Sequence, residues 1–230
     1  MALHPRAKRL YLPENDTQPR ITPRLVVVHS QAGTGSLRGF FGGSSSLEST
    51  FWIGLDGTIE QYVDSSVRAD ANYLANGWSG SIETENHREH VNRGSWDDDP
   101  WTPAQVASIT DVLDWYARTH RVPRRLANAW DGSGFGWHIQ YRQWHKPAKA
   151  CPGRRRIEQF KQIIIPALAG SYNGGVPVTN ADKLQIIAGV DSILKDDFRK
   201  LKDELNADIT NAANRVVRDL GGKPSVPNKR

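Results

Sequence analysis

The chain has 230 residues, 38% of them hydrophobic and 24% charged, with eight tryptophans. That is enough apolar material for one domain of roughly 150–200 residues plus an appendage, and it excludes global disorder. Thirty basic residues against 25 acidic ones leave a net charge of +5, which favours polyanionic partners such as nucleic acid or an anionic cell wall without choosing between them.

The basic residues are scattered except for Arg154-Arg155-Arg156. No helix-turn-helix, zinc-finger or aromatic-basic RNA-binding signature accompanies them, so no nucleic-acid partner is expected. The longest apolar stretches, 25–28 and 163–169, fall short of the roughly 18 residues that span a bilayer, so no transmembrane segment is expected. The first nine residues lack the apolar core of a secretory signal, and synthesis in the cytoplasm without a signal peptide is the expectation. A single cysteine, Cys151, rules out an internal disulfide and leaves packing, nucleophilic chemistry or metal ligation as its role.

In chain order, Leu25-Val-Val-Val28 reads as a short buried strand, with His29 delivered at its end. Phe51, Ile53 and Leu55 alternate with Thr50, Trp52 and Gly54; Asp56-Gly57 follows, then a second alternating run through Val63. Two such runs joined by Asp-Gly predict a hairpin, because glycine tolerates the positive φ of a tight turn. Ser81-Ile-Glu-Thr-Glu85 is a further strand candidate. Residues 86–99 are polar, glycine-bearing and aperiodic, which predicts a solvated loop rather than a second metal site at His87, His90 and Asp97-Asp98-Asp99.

A helix start is clear at Thr102-Pro103-Ala104-Gln105: Thr102 caps, Pro103 suits the first helical position and Gln105 completes a capping box. Val106, Ile109, Leu113 and Tyr116 share one face, with Trp115 beside it as core. A last helix is expected from about Arg155, burying Ile157, Phe160, Ile164 and Leu168. Strands mixed with helices indicate an α/β domain around one sheet.

Composition shifts near residue 171. Residues 171–180 read as a linker, 181–222 as an amphipathic helix or coiled coil, and 223–230 as a disordered tail, behind a domain of residues 1–170. From Ile187 to Leu220 the apolar positions follow steps of 3, 4 and 4, repeated, averaging about 3.67 residues per turn, an eleven-residue repeat. Self-association through residues 184–220 and docking of a single amphipathic helix are both open, since an apolar stripe does not name its partner.

Among seven histidines, His29 ends the apolar run and His138 ends Gly134-Phe-Gly-Trp-His138, while Cys151 sits in Lys149-Ala-Cys-Pro-Gly153 on a turn. Two histidines and a thiolate form a three-ligand set that leaves a fourth zinc position for water. On spacing alone His145 is an alternative to His138.

Five motifs in register, Val26-Val-Val-His29, Phe51-Trp-Ile-Gly-Leu-Asp-Gly-Thr-Ile-Glu-Gln61, Ser81-Ile-Glu-Thr-Glu85, Trp101-Thr-Pro-Ala-Gln105 and Lys149-Ala-Cys-Pro-Gly153, resemble the zinc-dependent N-acetylmuramoyl-L-alanine amidases of the type-2 amidase and peptidoglycan-recognition-protein superfamily. The Gly-x-Gly-aromatic-His and Cys-Pro-Gly version resembles endolysins of phages infecting actinobacteria. The resemblance covers about residues 10–170 and not the tail. It implies a single mixed central β-sheet flanked by helices, followed here by a C-terminal helical segment. It also implies one zinc ion held by His29, His138 and Cys151, with Glu85 moving the proton and Lys149 steadying the oxyanion.

The substrate so implied is the amide between N-acetylmuramic acid and L-alanine in peptidoglycan, with Trp78, Trp137, Trp144 and Thr50 as candidate contacts to glycan or stem peptide. The resemblance further implies action on the bacterial cell wall after holin-type release. Ser49 and Thr50 stand where relatives carry tyrosine or histidine, and the spacing from His138 to Cys151 is longer than usual, which keeps His145 open. The competing readings are a non-catalytic peptidoglycan-binding module on the same fold and a virion-associated wall protein assembled through its helical tail.

Overall fold

The computed structural model of the chain describes residues 2–43, 47–146 and 150–170, with isolated positions between 199 and 215. Two compact units are distinguished, Met1–Ile187 and Ala188–Arg230. In the second, the described positions, from Arg199 to Arg215, are helical, and Ile209 of the apolar stripe is 58% exposed. The rest of that stripe, the linker 171–180 and the tail 223–230 lie outside the described residues.

In the first unit one mixed sheet holds, among the described residues, β1 (Lys8–Arg9), β2 (Leu25–Val28), β3 (Phe51–Ile53), β4 (Ile59–Gln61), β5 (Ser79–Thr84) and β6 (Gly134–Trp137). Their order is β1-β4-β3-β5-β2-β6. Only the β3–β4 pairing is antiparallel. Helices α1 (Glu14–Thr17), α2 (Arg38–Phe41), α3 (Arg88–Arg93), α4 (Pro103–His120), α5 (Arg154–Gln159) and α6 (Ile165–Gly170) flank it. This is the fold the sequence leads one to expect.

β2 lies between β5 and β6, parallel to both, and its four residues have no exposed surface. A strand covered on both faces needs no polar alternation, which explains the unbroken Leu-Val-Val-Val run. The β3–β4 hairpin forms as expected: Gly57 adopts φ +80, and Asp56 Oδ1 accepts the Thr58 N–H at 2.8 Å. Both of its strands are wholly buried. The N-terminal arm packs there: His4 N–H donates to Gln61 Oε1 at 2.9 Å, and His4 meets Phe51 and Trp115 edge-on.

β6 is a strand that periodicity did not reveal, because Gly-Phe-Gly-Trp offers one large apolar residue between two glycines. Gly136 is there for close approach: a Cβ on it would lie 2.6 Å from the Trp144 ring.

α4 starts where the capping box placed it, with Thr102 Oγ1 accepting the Gln105 N–H at 3.0 Å and Gln105 Oε1 accepting the Thr102 N–H at 3.1 Å. Val106, Ile109, Leu113 and Tyr116 are fully buried and Trp115 nearly so. The last helix runs from Arg154, passes through a π-helical turn at Phe160–Ile164 and continues as α6, burying Phe160, Ile164 and Leu168. Ile157 stays half-exposed.

The expectation of a solvated loop at 86–99 is corrected. α3 occupies its middle, and both ends are buried, Asn86 and Asp99 being at most 1% exposed. The reason is Arg156, itself fully buried, which pairs with Asp99 at 2.9 Å and donates to Asn86 Oδ1 and to the Glu85 carbonyl.

Candidate metal centre

Strand register builds the centre. Val28 pairs with Ile82 of β5 on one side and Trp137 of β6 on the other. His29, Glu83 and His138 are each the next residue, so three parallel strands deliver three polar side chains at one level of the sheet. The His29 N–H donates to the Ile82 carbonyl at 2.7 Å, and the His29 carbonyl accepts from Thr84 Oγ1 at 2.7 Å. Thr84 Oγ1 in turn accepts the Trp101 indole N–H at 2.9 Å.

The His29 and His138 rings lie 4.2 Å apart, centre to centre, both nearly buried. Cys151 arrives on a loop that Ser30 anchors: its Sγ accepts the Ser30 N–H at 3.0 Å, and Ser30 Oγ donates to the Pro152 carbonyl at 3.3 Å. One donor atom each from His29, His138 and Cys151 falls within 4.8 Å of the others.

The three donors suit a metal ion. Tetrahedral zinc at about 2.0–2.3 Å from nitrogen and sulfur ligands separates them by roughly 3.3–3.6 Å, so only a small contraction is needed. Burial, and then the Glu83 charge, push the Cys151 thiol up to about 12. A divalent cation bound here would offset that cost and ionise the thiol.

Glu83, which the sequence motifs do not single out, is the carboxylate that stands level with the donors. Its Oε1 lies 3.8 Å from His29 Nδ1, and its side chain is 16% exposed. Glu85, the expected proton carrier, lies past the end of β5. Both its oxygens are engaged by backbone, Oε1 by the Gly35 N–H at 2.5 Å and Oε2 by the Leu55 N–H at 3.0 Å. The signal that separates the two is register, since only Glu83 stands level with His29.

His145 does not join the three donors; its ring sits edge-on to His138 at 5.7 Å, and its Nδ1 donates to the Lys146 carbonyl at 2.8 Å. Lys149 lies outside the described residues.

Two candidate contacts are corrected by burial. Trp144 has no exposed surface, packs against Leu25, Val27, Ala75 and Ala127, and gives its indole N–H to the Trp130 carbonyl at 2.6 Å. Thr50 is 1% exposed, with its backbone N–H and Oγ1 bonded to Ser81. Trp78 is half-buried between the Arg24 guanidinium and Trp130. Trp137 is half-buried against Phe160, with the Lys161 ammonium 5.2 Å from its ring centre. A groove of about 380 Å³ opens among Ile139, Ile157, Lys161, Gln162 and the charged Asp97, Arg154 and Glu158.

Two histidines at the carboxyl ends of parallel strands, joined by a cysteine from a loop, form a candidate metal site at the edge where open α/β sheets place their ligands. The sequence matches the N-acetylmuramoyl-L-alanine amidase family Amidase_2 over residues 18–154, and the chain belongs to that family. No curated protein matches the sequence.

Among solved structures it is similar to the endolysin N-acetylmuramoyl-L-alanine amidase LysCS from Clostridium intestinale URNW, at 16% identity and TM-score 0.50, covering 74% of this chain and 99% of that one. It is also similar to a variant of PlyL, at 14% identity and TM-score 0.51, covering 71% of this chain and 98% of that one. These likenesses concern the fold. Among the described residues no helix is long and apolar enough to cross a membrane.

Proposed function

We propose that the chain is a zinc-dependent N-acetylmuramoyl-L-alanine amidase that hydrolyses the amide between N-acetylmuramic acid and L-alanine in peptidoglycan. The observation that carries the reading is the convergence of His29, His138 and Cys151 within 4.8 Å in a member of this family. Two imidazoles and a thiolate form a three-ligand set that leaves one zinc position open, whereas a purely binding module has no use for the third ligand. When bound, zinc supplies Lewis acidity that brings the pKa of water towards about 7 and polarises the scissile carbonyl.

The chain's own residues supply the rest. Glu83, beside the donors and reachable from solvent, takes the proton of the attacking water and returns it to the departing nitrogen of L-alanine. Lys149, two residues before Cys151, is assigned to face the developing oxyanion. Trp137 and the groove beside Ile139 and Lys161 are assigned to glycan or stem peptide, with Trp78 on the other flank.

The motif resemblance, together with the endolysin fold likeness, supports a phage endolysin of an actinobacterial host, made in the cytoplasm and acting on the wall after holin-type release. Residues 1–170 are taken as the amidase domain, 171–180 as a linker and 181–222 as the helical segment, whose self-association would show as a dimer or larger species in light scattering.

The deciding experiment is zinc analysis of the purified protein with detection of newly freed alanine amino groups on digested wall. Close to one zinc per chain, and amino groups that stop appearing after chelation, are expected. A metal-free protein, or digestion indifferent to chelation, would refute the reading.

A further inference from the structure

His29 is held from behind by a side chain that carries no charge. Its Nε2 lies 2.7 Å from Oδ1 of Asn72, a residue with no exposed surface. Which of the two atoms donates follows from the bonds around Asn72. Its Nδ2 lies 3.1 Å from the Gly80 carbonyl and 2.7 Å from Ser79 Oγ. A carbonyl oxygen can only accept, so the amide nitrogen of Asn72 must face Gly80.

Ser79 agrees with this. Its hydroxyl proton goes to the Ala75 carbonyl at 2.7 Å, which leaves the oxygen to accept from Asn72. The backbone N–H of Asn72 is fixed too, donating to Asn76 Oδ1 at 2.7 Å, while Asn76 Nδ2 donates to Asp70 Oδ1 at 3.0 Å. The side-chain amide therefore has one orientation, and the atom it turns towards His29 is an oxygen, an acceptor only.

We propose that Asn72 is a positioning residue for the metal centre: by accepting the Nε2–H of His29 it selects that tautomer and presents the Nδ1 lone pair to the ion shared with His138 and Cys151. A histidine with its second nitrogen so engaged is held in one tautomer and one ring orientation. The fold supports the arrangement at both ends. Asn72 and Ser79 bracket the short segment 73–78, Gly80 accepts from within β5, and the residue after Asn72, Tyr73, turns the chain with φ +49. A residue with L chirality seldom adopts that backbone conformation.

The proposal rests on His29 being a metal ligand, and two readouts keep the two ideas apart. Nitrogen-15 long-range correlation spectra of the metal-free protein at about pH 8, where an ordinary imidazole is neutral, should show His29 protonated at Nε2. Zinc affinity should be measured by competition with a chromophoric chelator, which needs no turnover. Asn72→Ala should mix the tautomers of His29 and weaken zinc binding by about 10–100-fold. Asn72→Asp keeps the acceptor while losing both donors. It should lower thermal stability yet hold the Nε2–H tautomer, with zinc affinity within about threefold of the parent.

Protonation of His29 at Nδ1 in the parent protein would overturn the proposal, as would a folded Asn72→Ala variant with parental zinc affinity. If Asn72→Ala does not fold, the parent spectrum and Asn72→Asp decide, and an aspartate variant with mixed tautomers would count against the proposal. A parent with the Nε2–H tautomer and no zinc binding would instead refute the metal reading.

Discussion

At the scale of single residues, the site separates groups by what surrounds them. Cys151→Ser should remove most bound zinc and nearly all hydrolysis, since a hydroxyl does not replace a thiolate ligand. Glu83→Gln should keep zinc and lower kcat by about 10²–10⁴, the usual contribution of a positioned acid-base group. Glu85→Gln should retain most turnover while costing roughly 1–3 kcal/mol of stability, because its carboxylate serves the Gly35 and Leu55 amides. Kinetics beside metal analysis and melting curves of the three variants check these outcomes together; full turnover in Glu83→Gln would return the proton to another group.

His4 gives a prediction in pH. Burial lowers its pKa from the usual 6.5 to about 4, against a smaller raising effect from Asp111. Between those values the unfolded chain binds a proton that the folded chain refuses, so stability is complete above about pH 6.5 and declines as pH falls towards 4. Glu48, whose pKa burial raises to about 7, acts in the opposite sense, losing stability as pH rises through the same range. The His4 effect is therefore read as the difference between the parent and His4→Phe: the parent should lose more stability than the variant from pH 7 to 4.5.

At the scale of elements, the centre depends on where strands stop and what pins the segments after them. β5 ends at Thr84, and the chain beyond it is tied down by Arg156 from the start of α5. Burial lowers the Arg156 pKa to about 10, against the raising effect of Asp99, so the side chain remains a cation at neutral pH and Asp99 depends on it. Arg156→Ala should cost about 3–5 kcal/mol, the usual result of leaving a buried charge without its partner. Urea unfolding of the variant measures this, and a loss under 1 kcal/mol would mean that His87, bonded to Asp99 at 2.6 Å, suffices alone. The sequence shows Arg154, Arg155 and Arg156 as one basic run, yet Arg154 is exposed and Arg156 fully buried.

At the scale of the whole molecule, the catalytic reading is confined to the first compact unit. Removal of residues 175–230 should leave hydrolysis of soluble muropeptides within about twofold of the parent, because none of the groups assigned to the reaction lies there. Lysis of whole cells should weaken if the segment assists adhesion. The net charge of +5 favours an anionic wall, so adhesion should fall as salt rises and screening shortens the reach of each charge. Release of amino groups and turbidity loss, measured side by side for both chains, separate the two contributions.

The sequence by itself determined the β2 run, the Asp-Gly hairpin and the capped start of α4, because each is signalled by side chains adjacent or regularly spaced along the chain; His29, His138 and Cys151 form no compact motif, and the sequence pointed to them only through the family resemblance, with His145 left open. Tertiary structure alone decided the rest. Glu83 and not Glu85 stands beside His29, since strand register depends on a partner strand about fifty residues away. Trp144 and Thr50 are interior, since burial depends on what packs over a residue. Asn72 faces His29 only because the chain folds back between them, and the direction of that hydrogen bond is set by Gly80 and Ser79. Periodicity records which way a residue points along its own element; it holds no record of which distant atoms meet it there.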